Sequence, residues 1–407
     1  MATENAIVGQ SGGPTAAINA TLSGVIRGVL NKQDKINVLY GMRNGIEGLL
    51  RENIVDLNKI FKSEKELLLL ENTPAAALGS CRLKLNSADT DEKVYIEIFN
   101  IFKKYNIRYF FYIGGNDSMD TAEKINAYAE KINYAIKVIG IPKTIDNDLT
   151  ETDHTPGYGS AAKYIAASVQ EIIRDCAVYS VNAVTIVEIM GRDAGWLTAA
   201  AGLPGAINGI SPDHIYLPEK PFDIEKFISG AEKALANHPN VVIAVSEGLR
   251  DNKGTYIGEA AYKGKDAFGH VNLSGTGRNL EIAVKETLKC KVRSVELNIL
   301  QRCAAHIASK TDLDESVLIG KEAVNASCNG ITGKMMCFKR ISDAPYKITI
   351  DTTDVKLIAN SIKKVPDNFI NSAGNYVTDE CLDYIKPLIY GEASISYKDG
   401  LPVHFII

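Results

Sequence analysis

The sequence predicts an α/β protein built on mainly parallel β-sheets, and two patterns support this prediction. Short runs that are apolar throughout recur along the chain, and segments with apolar residues at helical spacing lie between them. A continuous apolar run is typical of a strand that is buried on both faces of a parallel sheet. The alternation of strand, loop and helix indicates a doubly wound architecture.

The same patterns predict the positions of individual elements. Strands are predicted at residues 6–9, 36–40, 109–113, 136–141, 184–189, 241–245 and 346–350. Helices are predicted at residues 16–30, 94–104, 121–132, 161–176 and 355–362. Residues 59–71 mix Lys and Glu with four consecutive leucines, which favours a surface helix with one buried face and leaves an oligomer contact as the alternative.

Composition excludes several classes of protein. The chain has 407 residues, 45% hydrophobic and 23% charged, which is typical of a folded protein of about two or three domains. The net charge of −4 argues against nucleic acid as the main partner. No apolar run is long enough to span a membrane, and the N-terminal residues lack the pattern of a signal peptide. The seven cysteines include no C-x-x-C pair, so we expect reduced thiols in the cytoplasm.

Two loops that contain glycine are candidate phosphate sites. Ligands of doubly wound proteins bind beyond the carboxyl ends of the strands, so chemistry is expected in the loops that follow them. The loop at residues 9–15 contains Gly12 just before a predicted helix, where glycine and free N–H groups favour a phosphate, with a tight turn as the alternative. A second loop ends in Asn116, Asp117 and Ser118. Taken alone, this second loop fits a helix N-cap better than a phosphate site.

A third loop has the composition of a catalytic site. After the strand at residues 136–141 come Lys143, Thr144, Asp146 and Asp148. A carboxylate can accept a hydroxyl proton as a general base, and a nearby cation can stabilise a transferring phosphoryl group. A solvated turn with an Asx motif is the alternative, but the clustering of charged residues favours catalysis.

Further charged residues follow later strands. Arg192 can bind phosphate or sugar oxygens through its planar guanidinium, and Trp196, four residues later, is expected to pack in the core, with sugar stacking as the alternative. Glu247 closes a predicted strand and can accept sugar hydroxyls, although alone it fits a surface carboxylate slightly better. Arg293 and Arg302 can converge on one phosphate, although in isolation each is typical of surface charge.

Together and in this order, these loops resemble the phosphofructokinase family. The resemblance extends over residues 7–302 and rests on the motifs Gly-Gly-Pro-Thr, Gly-Gly-Asn-Asp-Ser, Pro-Lys-Thr-Ile-Asp-Asn-Asp, Met-Gly-Arg and Ser-Glu-Gly. It implies two Rossmann-like three-layer αβα domains of mainly parallel sheets, with the active site in the cleft between them. The larger, donor-phosphate-binding domain is expected to comprise residues 1–148 and 255–310. The sugar-phosphate-binding domain is expected to comprise residues 149–254 and 311–407.

The resemblance also implies an activity and its catalytic residues. The reaction would be reversible phosphoryl transfer from inorganic pyrophosphate to the C1 hydroxyl of fructose 6-phosphate, giving fructose 1,6-bisphosphate and phosphate in glycolysis. Asp146 is the implied base, and Thr144 and Asp148 flank it and orient the acceptor. Lys143 and Arg192 are the other implied catalytic residues, with Arg192 stabilising the transferring phosphoryl group.

Binding residues follow from the same resemblance. The implied donor-phosphate ligands are Gly12, Arg82, Asn116, Asp117, Ser118 and Lys143. The implied sugar-phosphate ligands are Thr144, Ile145, Asp146, Met190, Gly191, Arg192, Glu247, Arg293, Ile299 and Arg302. One of the arginines at 293 and 302 is expected to come from a neighbouring subunit, so a homodimer or homotetramer is implied.

Two positions indicate the phosphoryl donor. ATP-using members of the family have glycine where this chain has Asp117 and Lys143, and the pair found here is similar to the pyrophosphate-dependent branch. An aspartate adds volume and negative charge where the α-phosphate of a nucleotide would lie, which is costly if the carboxylate is desolvated. Mg²⁺ is the implied cofactor and would bridge donor oxygens near Asp117 and Asn116, although the family usually has an aspartate at the second of these positions.

Departures from the family pattern leave alternatives. Ile299 stands where bacterial ATP-using members carry a histidine, and Ala183 stands where they place an arginine that crosses subunits, so allosteric control by nucleotides is less expected. The alternatives are an ATP-dependent 6-phosphofructokinase, a kinase of another acceptor such as NAD or a lipid, and a non-catalytic sugar-phosphate-binding regulatory subunit. The Met-Gly-Arg motif at residues 190–192 and Glu247 argue against another acceptor, and an intact Asp146 and Arg192 argue against a regulatory subunit. Similar contacts would also admit sedoheptulose 7-phosphate as the acceptor.

Overall fold

The computed structural model describes residues 4–258, 275–358 and 361–407. Its strands are β1 (Asn5–Gln10), β2 (Leu39–Met42), β3 (Ile54–Asp56), β4 (Ile107–Gly114), β5 (Lys137–Pro142), β6 (Ala183–Ile189), β7 (His214–Tyr216), β8 (Asn240–Ser246), β9 (Lys291–Glu296), β10 (Lys334–Asp343), β11 (Tyr346–Asp354), β12 (Tyr397–Lys398) and β13 (Leu401–Pro402). Its α-helices are α1 (Ile18–Leu30), α2 (Gly45–Leu50), α3 (Leu57–Ile60), α4 (Glu64–Glu71), α5 (Glu92–Lys104), α6 (Asn116–Lys131), α7 (Tyr158–Cys176), α8 (Trp196–Ala199), α9 (Leu203–Asn208), α10 (Ile224–Asn237), α11 (Thr276–Leu288), α12 (Leu300–Cys303), α13 (Lys310–Cys328) and α14 (Asp379–Ile385). Single 3₁₀ turns lie at Ala200–Gly202, Ala305–Ile307, Val355–Leu357, Asp367–Phe369 and Lys386–Ile389.

The larger sheet has the strand order β11–β10–β5–β4–β1–β2–β3. Its inner strands run parallel, and the edge strands β3 and β11 are antiparallel to their neighbours. Along β1, Ala6 and Val8 belong to one core with Leu22 of α1, whereas Ile7 belongs to a second core with Phe102 of α5. Alternate residues of one apolar strand thus fill cores on opposite faces, as expected for a parallel sheet covered by helices on both sides.

The smaller sheet has the order β7–β8–β6–β9, and all of its strands run parallel. Along β6, Val187 belongs to one core with Ile165 of α7, and Ile186 belongs to another with Phe227 of α10. Each sheet therefore forms the middle layer of an αβα sandwich, which confirms the predicted fold class. Within the described ranges, no helix is both long and apolar enough to cross a lipid bilayer.

Most predicted elements overlap an observed strand or helix, and two near the N-terminus differ. The strand predicted at residues 36–40 begins only at Leu39, where parallel pairing with β1 starts. The helix predicted at residues 59–71 is divided into α3 and α4. The division occurs because the side chain of Ser63 accepts the backbone N–H of Glu66, whose carboxylate in turn accepts the backbone N–H of Ser63. This capping box begins a new helix inside the predicted one.

The C-terminal region also departs from the prediction. The strand predicted at residues 346–350 is confirmed as part of β11, but the helix predicted at residues 355–362 is only a 3₁₀ turn over Val355–Leu357. Residues 359–360 of that prediction lie outside the described residues. Strand β10 was not predicted, because only its first half is buried and its second half alternates with solvent.

The two sheets divide the chain differently from the predicted domains. Strand β9 falls in residues 255–310, which were expected in the donor domain, yet it pairs with β6 in the smaller sheet. Strands β10 and β11 fall in residues 311–407, which were expected in the sugar domain, yet β10 pairs with β5 in the larger sheet. Strand β9 belongs to the smaller sheet because the helix before it, α11, is a crossover that packs on that sheet. Residues 259–274 of the predicted division lie outside the described residues.

Candidate active site

A cleft of about 530 Å³ lies between the carboxyl ends of the strands of the two sheets. The loops after β1 and β5 and the start of α6 after β4 form its first-sheet half, which comprises Ser11, Gly12, Gly13, Gly115, Asn116, Asp117, Ser118, Asp120, Lys143, Thr144, Asp146 and Asp148. Loops that follow β6 and β8 form its second-sheet half, which comprises Met190, Arg192, Asp193, Ala194 and Glu247. The predicted site residues that line the cleft are Gly12, Arg82, Asn116, Asp117, Ser118, Lys143, Thr144, Asp146, Asp148, Met190, Arg192, Glu247 and Arg302.

The loop after β1 encloses a lysine from the loop after β5. Gly12 has a φ of 77°, in the left-handed region that favours glycine, and a Cβ added there would lie 3.2 Å from Nζ of Lys143. Nζ of Lys143 donates a hydrogen bond to the carbonyl oxygen of Gly13 at 2.6 Å. Burial lowers the pKa of Lys143 to about 8, and the negative charge of Asp146 opposes this shift. The loop and the lysine thus form a buried cationic site for an anion.

Helix α6 begins in the cleft with two polar residues. Its N-cap is Gly115, without a side-chain cap, so the interpretation of Asn116 or Asp117 as an N-cap is wrong. Oδ1 of Asn116 is buried and has no hydrogen-bond partner in the described part of the chain. Oδ1 of Asp117 lies 3.4 Å from Nζ of Lys84, and both side chains are partly exposed to the cleft. The start of the helix therefore offers one unpaired amide oxygen and one carboxylate to a ligand.

Two carboxylates share the loop after β5. Oγ1 of Thr144 accepts the backbone N–H of Asp146 at 3.1 Å and lies 3.4 Å from its Oδ2, so the threonine orients this carboxylate. Burial raises the pKa of Asp146. Burial also raises the pKa of Asp148 to about 7, and the nearby charge of Asp146 adds to the shift. Asn147 between them has a φ of 54°, in the left-handed region that asparagine tolerates better than most residues. Such carboxylates are stronger bases than exposed ones.

The second-sheet half presents a carboxylate and a guanidinium. Oε1 of Glu247 accepts the backbone N–H of Gly191 at 3.2 Å, and burial raises the pKa of Glu247 to about 7. A Cβ at Gly248 would overlap the carbonyl oxygen of Arg192, so only glycine allows the two loops to approach this closely. Nε of Arg192 is buried and has no acceptor among the described residues. An unpaired donor of this kind is costly unless a ligand satisfies it.

Two more arginines lie beside Lys143. A Cβ added at Gly13 would lie 3.5 Å from Nη1 of Arg302, which brings the guanidinium to the glycine loop. The backbone N–H of Gly12 donates to the carbonyl oxygen of Cys81, which holds the segment of Arg82 against the same loop. The charges of Arg302 and Arg82 both lower the pKa of Lys143, so three cations share this part of the cleft.

Four predicted ligands lie outside the lining of this cleft. Ile145 is buried in a core, and Gly191 contributes only its backbone behind Glu247. Arg293 lies on the edge strand β9, with Nη1 3.9 Å from a carboxylate oxygen of Asp175. Ile299 is 54% exposed just before α12. The structure therefore does not bring Arg293 and Ile299 to the cleft of their own chain.

Sequence reasoning missed several lining residues. They are Ser11, Gly13, Lys84, Gly115, Asp120, Asp193, Ala194, Ser361 and Ile362. Most lie within or next to the motif loops, so widening each motif by a few residues would have found them. Ser361 and Ile362 come from the C-terminal region, where the pattern predicted a helix but no motif marked a site.

Comparison with known proteins identifies the family of the chain. Residues 5–327 match the phosphofructokinase family. The chain is 40% identical over 404 residues to the pyrophosphate–fructose 6-phosphate 1-phosphotransferase of Halomonas elongata, covering 99% of this chain and 96% of the relative. It is 42% identical over 405 residues to the protein of that name from Xanthomonas campestris pv. campestris, with the same coverage. The chain therefore belongs to the phosphofructokinase family.

A solved structure extends the comparison to the whole fold. The crystal structure of the pyrophosphate-dependent phosphofructokinase from Nitrosospira multiformis superposes with a TM-score of 0.89 at 38% sequence identity. The match covers 99% of this chain and 96% of that one. The C-terminal region, which the family match does not include, is thus part of the shared fold.

Proposed function

We propose that the chain transfers a phosphoryl group reversibly from inorganic pyrophosphate to the C1 hydroxyl of fructose 6-phosphate. The main support for this proposal is that the buried ammonium of Lys143 and the carboxylates of Asp146 and Asp117 line one cleft. That combination supplies a base for the hydroxyl, a cation for the phosphates and an obstacle to a nucleotide. Relatives that match nearly the whole chain are named for this reaction.

Asp146 is the group we assign as general base. Thr144 fixes its orientation, and burial raises its pKa, so its carboxylate accepts a proton more readily than an exposed aspartate does. The C1 hydroxyl would give its proton to Asp146 while its oxygen attacks the terminal phosphorus of pyrophosphate. Lys143 and Arg192 would then stabilise the charge on the transferring group from opposite halves of the cleft. The bond to the second phosphate breaks, and that phosphate leaves beside the glycine loop.

The choice of donor rests on the start of α6. Asp117 lies next to Lys84 in the cleft, and we assign this pair to the side where a nucleotide would continue beyond its second phosphate. A nucleoside triphosphate would bring its α-phosphate against the carboxylate of Asp117, and like charges at short range are unfavourable in a partly desolvated site. Pyrophosphate ends before this position.

We also propose Mg²⁺ as the cofactor, because the residues at the start of α6 fit it. Oδ1 of Asn116 is a buried oxygen without a partner in the described residues, and Asp117 next to it supplies a carboxylate. Mg²⁺ usually takes one or two protein oxygens together with phosphate oxygens and water, so a larger cluster is not required. The described ranges contain no group of three or more His, Cys, Asp or Glu side chains that could hold a metal ion. Bound there, the ion would neutralise the charge of the donor phosphates.

The sugar phosphate would occupy the second-sheet half. Glu247 would accept sugar hydroxyls, Met190 would contact the ring, and Arg302, whose guanidinium lies at the glycine loop, would bind the 6-phosphate from the first-sheet side. Arg293 lies outside the cleft of its own chain, which supports a homodimer or homotetramer in which it completes a neighbouring site. All seven cysteines are unpaired, which supports a cytoplasmic location.

One assay tests the proposed function. Purified protein with Mg²⁺ and fructose 6-phosphate is supplied in parallel with pyrophosphate or ATP, and fructose 1,6-bisphosphate is measured. The reverse reaction is measured with fructose 1,6-bisphosphate and phosphate. We expect turnover with pyrophosphate in both directions and little with ATP. Turnover with ATP alone would show that the donor is wrong, and no turnover with either donor would point to another acceptor or to a regulatory subunit.

A further inference from the structure

A lysine from the C-terminal region contacts the loop that carries Asp146 and Asp148. The backbone N–H of Lys363 donates to the carbonyl oxygen of Asp148 at 2.7 Å. The carbonyl oxygen of Lys363 accepts the indole N–H of Trp196 at 2.9 Å, and Nζ lies 5.2 Å from the centre of the indole ring. The core position predicted for Trp196 is confirmed, and its ring forms one wall of the space that holds the lysine.

The ammonium of Lys363 is fully matched by acceptors. Nζ lies 2.6 Å from the carbonyl oxygen of Asp153, 3.2 Å from that of Thr152 and 3.3 Å from Oδ1 of Asn147. An ammonium has three N–H groups and here meets three acceptors. All of them lie in residues 147–153, the connection that leads from the catalytic loop to α7. One residue thus holds this connection at both of its ends.

The connection needs such support because its backbone is irregular. Asn147 has a φ of 54° and Glu151 has a φ of 63°, and both lie in the left-handed region that residues with a Cβ rarely adopt. Conformations of this kind persist only where the surroundings determine them. The hydroxyl of Tyr384 contributes as well, because it accepts from Nδ2 of Asn147 and donates to the carbonyl oxygen of Asp153. The contacts of Lys363 therefore fall where the loop is least stable by itself.

Lys363 also adds a positive charge behind the catalytic carboxylates. Its charge favours the ionised form of Asp148, as does that of Lys143 on the cleft side, whereas burial and the charge of Asp146 oppose it. Burial in turn lowers the pKa of Lys363 to about 8, and the charge of Asp148 opposes this shift. The ionised form of Asp148 is thus favoured by one lysine that lines the cleft and by one that does not.

We propose that Lys363 is a positioning residue for phosphoryl transfer. Its ammonium and its backbone N–H hold residues 147–153 in the one arrangement that directs the carboxylates of Asp146 and Asp148 into the cleft. This proposal rests on the proposed function, because it assigns a role in the same reaction. Substrates bind mainly to other residues, so losing the ammonium should impair turnover far more than binding.

The matched variants Lys363→Met and Lys364→Met test this assignment. Lys364 is the next residue and is exposed, so the same substitution there controls for the loss of one lysine in this segment. Lys363→Met should lower kcat with pyrophosphate about 10- to 100-fold, the range expected when a catalytic group is misplaced by about 1 Å. The KM values for both substrates should stay within about threefold of the parent enzyme, since uniform binding is retained. Lys364→Met should match the parent enzyme.

A structural role alone would give a different result. It would reduce the folded fraction or the melting temperature, while kcat per folded active site stayed at the parent value, and that outcome would overturn the proposal. If Lys363→Met does not fold, Lys363→Gln is measured instead, because its amide keeps two donors without the charge. Failure of both variants to fold would also overturn it. If the parent enzyme itself does not use pyrophosphate, the proposed function fails, which the parent assay reveals without any variant.

Discussion

The two halves of the cleft differ in how completely one chain builds them. The first-sheet half has a glycine loop, a buried lysine and two carboxylates, and every predicted ligand there lines the cleft apart from Ile145. The second-sheet half has Glu247 and Arg192, but Nε of Arg192 has no acceptor among the described residues. Two ligands predicted for the sugar phosphate, Arg293 and Ile299, lie outside the cleft of their own chain.

This difference indicates a division of labour. The first-sheet half is preorganised, because side chains within it orient one another before any ligand arrives, and preorganised charges stabilise a transition state at little further cost. Each half leaves one buried polar atom unsatisfied, Oδ1 of Asn116 in the first and Nε of Arg192 in the second, but two ligands predicted for the sugar phosphate are missing from the cleft, as expected if a neighbouring subunit completes that site. We therefore expect substitutions in the first half to affect turnover and substitutions in the second half to affect sugar binding.

The largest effect is expected for Asp146→Asn. An amide cannot accept the hydroxyl proton, and removing a general base typically costs about 10²- to 10⁴-fold, so kcat should fall by about 10³-fold or more. Binding of fructose 6-phosphate, measured by calorimetry, should stay within about threefold because the amide has nearly the same shape. Asp314→Asn, an exposed site on α13, is the matched control. A kcat near the parent value would remove Asp146 as the base.

A second substitution tests whether the first-sheet half selects the donor. Asp117→Gly combined with Lys143→Gly removes the obstacle to a nucleotide and the cation for pyrophosphate. We expect kcat/KM for pyrophosphate to fall about 100-fold, the cost of losing a preorganised charged contact, and turnover with ATP to become measurable. The single variant Asp117→Gly is the control, because it keeps the lysine and should lose less pyrophosphate activity. If the double variant rejects ATP as strongly as the parent enzyme, donor choice lies elsewhere.

The sequence located the loops of the first-sheet half for a physical reason. Its residues lie in short loops directly after apolar strands, so strand pattern and loop composition together locate them. The sequence did not predict the contribution of Ser361 and Ile362 to the cleft or of Lys363 to the catalytic loop, because the helical pattern predicted over this segment says nothing of the tertiary packing that brings it there. The place of β9 in the smaller sheet was not predicted either, because this edge strand is half exposed and lacks a continuous apolar run.

A moderate effect is expected in the second-sheet half for Arg293→Ala. If this side chain completes the phosphate site of a neighbouring subunit, its loss should raise KM for fructose 6-phosphate about 10-fold, the value of one charge-assisted hydrogen bond, with kcat nearly unchanged. Arg278→Ala on α11 removes a similarly exposed arginine and should have no effect. Light scattering on the same samples reports the subunit number. An unchanged KM, or a monomer with full activity, would contradict a shared site.

The smallest expected effect concerns stability and pH. Burial raises the pKa of Glu247 to about 7, so between its ordinary value and pH 7 the folded chain binds more protons than the unfolded chain. Folding stability must then fall as pH rises through this window, and Glu247→Gln should remove that loss. Since the side chain is partly exposed to the cleft, we expect the variant to gain about 1–2 kcal/mol relative to the parent enzyme between pH 5 and pH 8. Denaturant unfolding at the two pH values measures this gain, and Glu380→Gln on the exposed start of α14 is the control. A gain that does not depend on pH would mean that burial does not raise the pKa of Glu247 in the folded chain.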